Sequence, residues 1–348
     1  CVCRFARFHM RRRRTVWMTM NAKRITAAAV VGALLLLGGM TASICLGAKT
    51  IAVPDVLAAI FAFDGESLDH LLVHDARLPR TLCAVLVGGM LALGGTMMQG
   101  VLRNPIAEPS VMGVNQGATL MVAIAMTTGV AGGVFGNFLM ALAGAAVAGV
   151  LLVLFTMRSA SNQSLARILL AGTAMSTFFL AVASMVGLLG NRSQELAFWI
   201  AGGLRQTSWM QVACLLGIGG VFSLLALLAS PKINILSLGD EFATGLGVKP
   251  ERVKLRVVLY LIPLCGVCVA AAGNIGYIGL FIPHIMRRIV GNDYRALMPL
   301  SLLFGAVVLV WADLAARMVM SPYELPVGLF TACIGVPVFL LLVRREKR

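Results

Sequence analysis

Residues 81–102 run for twenty-two positions without a charge or a proline. As a helix that run is about 33 Å long, enough to cross a hydrocarbon core of about 30 Å. Uncharged runs of roughly 17 to 25 residues, the length a helix needs to span a bilayer, recur along the chain. They are continuous rather than alternating, which excludes a transmembrane β-barrel and leaves an all-α polytopic membrane protein. Composition agrees: 59% of residues are hydrophobic and 12% are charged, where a globular chain carries about 25% charged residues. Ten spans are expected, at 25–47, 81–102, 109–128, 133–157, 165–189, 207–229, 253–272, 278–291, 296–319 and 324–343.

The net charge of +15 suggests nucleic acid only until the charges are placed. Across the ten spans, 23 of the 29 Lys and Arg residues fall on one side and six on the other. The positive-inside rule then puts both termini in the cytoplasm. The basic charge is topology, and no nucleic-acid partner is expected. Residues 1–24 read as a basic cytoplasmic extension and 25–345 as one transmembrane domain. The extension opens Cys1, Val2, Cys3, and the expected start is Met10, Met18 or Met20. A lipidated Cys1 would put Arg11–Arg14 outside, against the charge rule. The eight cysteines are scattered, and the Cys265/Cys268 pair falls inside a span, as buried small residues do.

The run 81–102 is entered through Arg77, Leu78, Pro79 and Arg80 and left through Arg103, Asn104, Pro105, Ile106, Ala107, Glu108 and Pro109. Two arginines at a helix N-terminus oppose the macrodipole, so an acidic partner is expected there. Asp75 and its neighbours, or another protein, could supply it. Asp313 and Arg317 are spaced for an intrahelical pair. His70 and His74 have the spacing of a helical metal pair but lack a fixed third ligand, so a solvated surface helix is expected. Between spans, 230–256 is the one sizeable internal polar segment. Ser237 and Asp240 resemble a capping box, and Gly245 or Gly247 suits a C-terminal stop. A short amphipathic helix follows, with Leu238, Phe242 and Leu246 as its apolar side, serving either as a docking element or as a plain surface helix. Gly273–Tyr277 and Pro283 break the pattern at membrane depth, which is tolerated only under protein or water cover. His284 reads as a hydrogen-bonded structural histidine.

The first, second, fourth and sixth spans contain no acidic, basic or histidine residue. Ion-coupled carriers place such groups along the pathway, so a secondary transporter is the less favoured alternative. The chain has no HExxH, no GxSxG and no P-loop, so it is not expected to be an enzyme or to bind ATP by that route. A transporter with no energy source of its own needs a partner that has one.

These stretches, in order, resemble the FecCD-type permeases of iron–siderophore, haem and cobalamin importers, and the chain is similar to the cobalamin importer's membrane subunit. The matching pieces are Arg77–Arg80, Gly94–Gln99, Arg103–Pro109 with Gly113 and Gly117–Ala118, and Leu169–Gly172. Trp199 with Gly202–Gly203, Asn234–Gly247, Gly273–Arg287, Asp313–Arg317 and Glu324–Gly328 follow, then Gly335, Pro337 and Phe339. The resemblance implies a type II ABC importer permease of ten spans in a multi-pass inner-membrane location. It implies a second permease subunit (identical or not), two cytoplasmic ATPases that use the ATP, and an extracytoplasmic substrate-binding protein. No cofactor or metal is expected on this chain. Arg77, Arg80 and Arg317 are implied to meet glutamates of the binding protein. Leu238, Gly239, Asp240, Glu241, Phe242, Gly245 and Leu246 are implied to form the coupling helix that meets the ATPase. Ser161, Ser164 and Leu165 are implied to lie at an inner gate.

Overall fold

The structure is a computed structural model that describes residues 2–109, 113–131, 133–158, 165–205, 207–321 and 323–346. Side chains are described from residue 23 to 341, apart from 155–169 and the positions between those ranges. Every regular element among the described residues is helical. The helices are α1 (Val2–Cys45), α2 (Val53–Phe61), α3 (Leu68–Leu71), α4 (Leu78–Leu102), α5 (Val114–Thr128), α6 (Val134–Arg158), α7 (Leu165–Leu189) and α8 (Ser193–Ala201). They continue as α9 (Trp209–Cys214), α10 (Gly220–Ser237), α11 (Asp240–Gly245), α12 (Pro250–Ala272), α13 (Ile278–Val290), α14 (Tyr294–Met318) and α15 (Val327–Glu346). Seven helical stretches are long and apolar enough to cross a membrane. With the shorter α5, α13 and α15, they occupy the positions of the ten expected spans. The end of the bundle that carries α2 is called the α2 face here, and the opposite end the α11 face.

α4 sits at the centre, against α14, α13, α12 and α10. Glycine is what lets the neighbours come so close. A Cβ on Gly88 would lie 2.4 Å from the Gly305 carbonyl oxygen of α14, and one on Gly95 would lie 2.0 Å from that of Gly279 in α13. Without a hydrophobic drive between helices in lipid, this close van der Waals approach holds them together. Cys265 and Cys268 are free thiols buried in α12, as small packing residues.

Several boundaries differ from expectation for identifiable reasons. α3 continues through a π-helical turn, Leu72–Arg77, directly into α4, giving an unbroken apolar helix Leu68–Leu102 of 35 residues. The Leu78 N–H reaches back to the Val73 carbonyl. The wide turn precedes Pro79, which has no N–H to donate. Arg77 and Arg80 are therefore inside a helix, and the expected macrodipole penalty at a terminus does not arise. α10 runs on to Ser237 through Pro231, well past the expected end at 229. Ser237 donates its hydroxyl to the Asn234 carbonyl, 2.7 Å away, instead of forming a capping box. Gly239 takes the N-cap position of α11 without a side-chain bond. α11 ends at Gly245, and Gly247, at φ +78°, follows in the turn beyond it.

α5 and α13 are short, at 15 and 13 residues, or about 22 and 20 Å. Neither crosses the bilayer alone. The irregular segments 103–109 and 273–277 lie beside their starts. Both helices begin on left-handed residues, Gly113 and Tyr277. Those starts face each other: the Asn115 amide donates to the Asn274 side-chain oxygen at 2.8 Å. Irregular backbone is thus enclosed by protein, as membrane depth requires.

Gly88→Val is expected to destabilise the protein by the upper end of the overpacking range, about 3 kcal/mol, because the obstructing atom is backbone. Gly38→Ala, which meets nothing within 4 Å, is expected to leave the midpoint unchanged or slightly raised. Thermal unfolding in detergent, followed by tryptophan fluorescence, compares the two; equal midpoints would remove the role given to Gly88.

Candidate functional site

At the α2 face, three arginines that are far apart in sequence come together. Arg77 and Arg80 arrive on one helix and Arg317 on α14, and all three are at most 9% exposed. Asp313, one turn before Arg317, is fully buried between Arg80 and Arg317. Arg80 grips it with Nε at 3.1 Å and Nη2 at 3.0 Å from Oδ1. Its remaining Nη1 donates to Glu324 Oε1 at 2.8 Å. The Arg317 Nε lies 3.2 Å from Asp313 Oδ2. The acidic partner expected for Arg80 is therefore in this chain, at Asp313 and Glu324. Asp75 instead pairs with its neighbour His74, at 2.7 Å.

Arg77 and Arg317 do a second job: they close the C-terminus of α1. The last carbonyls of a helix have no intrahelical partner, and its negative dipole end favours cations. Arg77 Nη1 donates to the carbonyls of Ile44 at 2.5 Å and Cys45 at 3.0 Å, and Nη2 donates to that of Lys49. Arg317 Nη2 donates to the Ser43 carbonyl at 3.1 Å and its hydroxyl at 2.7 Å. Ser43 in turn meets Thr81 at 2.9 Å. Arg205, nearer the surface, donates to the Glu324 carbonyl and stacks over Phe198 at 4.3 Å. Within this cluster the four arginines outnumber the two carboxylates Asp313 and Glu324.

A cavity of about 450 Å³ opens beside the cluster, lined by Trp199, Gly202, Arg205, Asn137, Gln211 and Gly273 among others. The indole Nε1 of Trp199 is buried without a hydrogen-bond partner. His70 and His74 do not form a metal pair. His70 accepts from the Asp64 N–H at 3.0 Å, and among the described residues no group of three or more His, Cys, Asp or Glu could hold an ion. His284 is half-buried on α13.

At the opposite face, α11 presents Leu238, Phe242 and Leu246 at 67%, 70% and 64% exposure. Ala243 is buried beneath them. Glu241 and Gly245 are exposed, and Gly239 is half-buried at the turn. Asp240 fixes the element: Arg103 Nη2 donates to its Oδ1 at 2.9 Å and Lys254 Nζ to its Oδ2 at 2.6 Å. Arg103 can reach because it ends α4 in a left-handed conformation, φ +48°. An anchored helix thus shows its apolar side away from the chain. Ser161 and Ser164 lie outside the described residues, and Leu165 opens α7 with its side chain undescribed. Sequence reasoning missed the Arg103–Asp240 contact and the capping of α1 by Arg77. The signal for both was present: each arginine ends or enters a span where no local acid accounts for it.

A polytopic helical bundle with buried charge at one end and an anchored apolar helix at the other defines a transport permease class. Residues 35–345 match the family described as the FecCD transport family, and the chain belongs to that family. It is 42% identical to the iron(3+)-hydroxamate import system permease protein FhuB of Bacillus subtilis (strain 168), over 92% of this chain and 83% of that one. It is 39% identical to the ferric enterobactin transport system permease protein FepD of Escherichia coli (strain K12), over 92% and 96%. A solved structure titled an inward-facing conformation of a putative metal-chelate type ABC transporter superposes with a TM-score of 0.79. It shares 29% identity, covering 93% of this chain and 99% of that one. The protein is an integral membrane permease of about ten spans, with the type II ABC importer architecture.

Asp313→Ala would leave Arg80 and Arg317 buried without their shared carboxylate, and breaking such a buried pair costs about 3–5 kcal/mol. Ser43→Ala, which removes one hydroxyl contact, is expected to cost about 1 kcal/mol. Thermal midpoints of the purified variants check the order; a milder effect for Asp313→Ala would show that the cluster does not join α1, α4 and α14.

Proposed function

We propose that this chain is the membrane subunit of an ATP-driven importer. It carries a ferric siderophore, or another bulky chelate such as haem or cobalamin, from a substrate-binding protein into the cytoplasm. The observation that carries this reading is the exposed apolar side of α11. A helix held in place by two salt bridges, with three large apolar side chains turned to solvent, is a docking element. Its occupant in this reading is a cytoplasmic ATPase, one for each of two permease subunits. The names of the relatives support the substrate class: they include an iron-hydroxamate, a ferric enterobactin and a hemin permease. The chain binds no cofactor, and ATP is hydrolysed by the partner.

The α2 face is then the outer face, in the inner membrane of a bacterium, with both termini inside. Its positive arginine cluster is where an acidic binding protein docks. Arg77, Arg80 and Arg317 set the positive potential while their guanidinium groups remain engaged within the chain. Charge of this kind steers association and fixes register. The alternative, an ion-coupled secondary carrier, requires uptake without ATP.

Two experiments test the reading. Phe242→Ala together with Leu246→Ala is expected to abolish copurification of the ATPase subunit while leaving the thermal midpoint unchanged; full retention of the ATPase would refute the docking role of α11. Arg80→Gln and Arg317→Gln are each expected to weaken binding-protein affinity at least tenfold, with the loss shrinking as salt screens it. Unchanged affinity in samples that remain monodisperse would exclude docking at this cluster.

A further inference from the structure

The segment joining α4 to α5 touches both ends of the functional apparatus. At one end Arg103 holds Asp240 of α11 at 2.9 Å. Five residues on, the Glu108 carboxylate accepts the backbone N–H of Tyr277 at 2.6 Å. That N–H opens α13 at membrane depth. Five residues span at most about 18 Å, so the two contacts cannot move apart freely. The segment between them is also stiff. Pro105 fixes one φ angle within it. Asn104 closes the turn, accepting from the Ile106 N–H at 3.1 Å through its side chain and from the Ala107 N–H at 3.1 Å through its carbonyl.

From Tyr277 the contacts continue towards the outer cavity. Asn274, three residues before it, donates its N–H to the Trp199 carbonyl at 3.3 Å, and the Gly203 N–H donates to the Ala272 carbonyl at 2.9 Å. No side chain can intervene there. A Cβ on Gly273 would lie 2.5 Å from the Trp199 carbonyl oxygen, and one on Gly202 would lie 2.7 Å from that of Asn274. Trp199 and Gly202 are walls of the cavity. Hydrogen bonds and backbone contacts thus run from α11 through Arg103, Glu108 and Tyr277 to Trp199.

We infer that Glu108 is the positioning residue that transmits movement of α11 to the start of α13 and so to the cavity wall. This rests on the proposed function, since α11 moves only if an ATPase drives it. A rigid segment with one contact at each end acts as a strut. Displacing α11 shifts Arg103, the strut carries Glu108, and the first turn of α13 follows because its leading N–H is bound to that carboxylate. A carboxylate is suited to the place, since it accepts strongly from an N–H at the positive end of a helix.

The test uses the assembled complex of permease, ATPase and binding protein in proteoliposomes. Glu108→Ala is expected to lower uptake at least tenfold and to raise the ATP hydrolysed per substrate imported. ATPase copurification and basal hydrolysis should stay unchanged. Glu108→Gln keeps an acceptor oxygen and is expected to restore most of the uptake. Because a relay is a series of links, combining Glu108→Ala with Asp240→Asn should lower uptake no further than the worse single variant. Normal coupling in Glu108→Ala, failure of Glu108→Gln to rescue, or multiplying losses in the double variant would each overturn the inference. If Glu108→Ala does not assemble, the Gln rescue and an Asn104→Ala variant, which loosens the turn alone and should share the raised ATP cost, decide it. A wild-type complex that recruits no ATPase would instead refute the proposed function, and is distinguished by that outcome.

Discussion

The link between Arg80 and Arg317 at the α2 face depends on one buried carboxylate. Asp313 has no exposed surface, and a lone ionised carboxyl there would be untenable. It is tolerable because Arg80 and Arg317 approach it from two helices. The same two helices need the glycine contact between Gly88 and Gly305 to come close enough. Ion pair and close packing therefore reinforce each other along α4 and α14. Arg317 then extends the cluster to Ser43 of α1, and Arg77 completes the closure of that helix. A buried ion pair adds little net stability relative to apolar packing. What it gives here is register, since Arg80 on α4 and Arg317 on α14 both reach the one carboxylate of Asp313.

That arrangement bears on function through charge rather than contact. The guanidinium groups are engaged inside the chain, so an arriving partner meets their field more than their donors. Arg205, at 38% side-chain exposure, is the arginine of this group that a partner can touch directly. The cluster is therefore locally positive, because its four arginines outnumber Asp313 and Glu324. At the α11 face the logic is reversed. Asp240 is neutralised by Arg103 and Lys254, which leaves the apolar side of α11 as the recognisable feature.

Much of the architecture was legible because the membrane forces it. Uncharged runs had to be helices, and ten expected spans correspond to ten helical segments. Helix ends were less legible. The Ser237–Asp240 pair argued for a helix start, yet α10 continues to Ser237, where Asn234 is bonded to Tyr294 of α14 and to its N-cap Asp293. The entrance at Arg77 read as a helix terminus because Pro79 usually follows one. A π turn hid the continuation, and nothing in local propensity announces such a turn. Arg77, Arg80 and Arg317 stood out in the sequence as residue types, but their partners did not. Asp313 lies 233 residues from Arg80, and only the fold brings them together. The exposed apolar side chains around α11 were the most legible part, since Leu238, Phe242 and Leu246 have helical spacing and no local reason to be apolar.

In the proposed importer, the short helices are the parts that shift. A full-length span has its backbone hydrogen bonds satisfied internally, and it shifts only as a rigid rod. α5 and α13 instead start within the membrane, and their first turns depend on groups from elsewhere. Tyr277 takes its partner from Glu108, and Asn115 takes Asn274. Such starts can be repositioned by small movements of the segments that hold them. The rigid α4–α14 pair supplies a fixed frame, and the two half-depth helices supply the parts that yield against it. An energy source acting at α11 has a stiff segment to push and a short helix to displace. A bundle of ten uninterrupted rods would offer it neither.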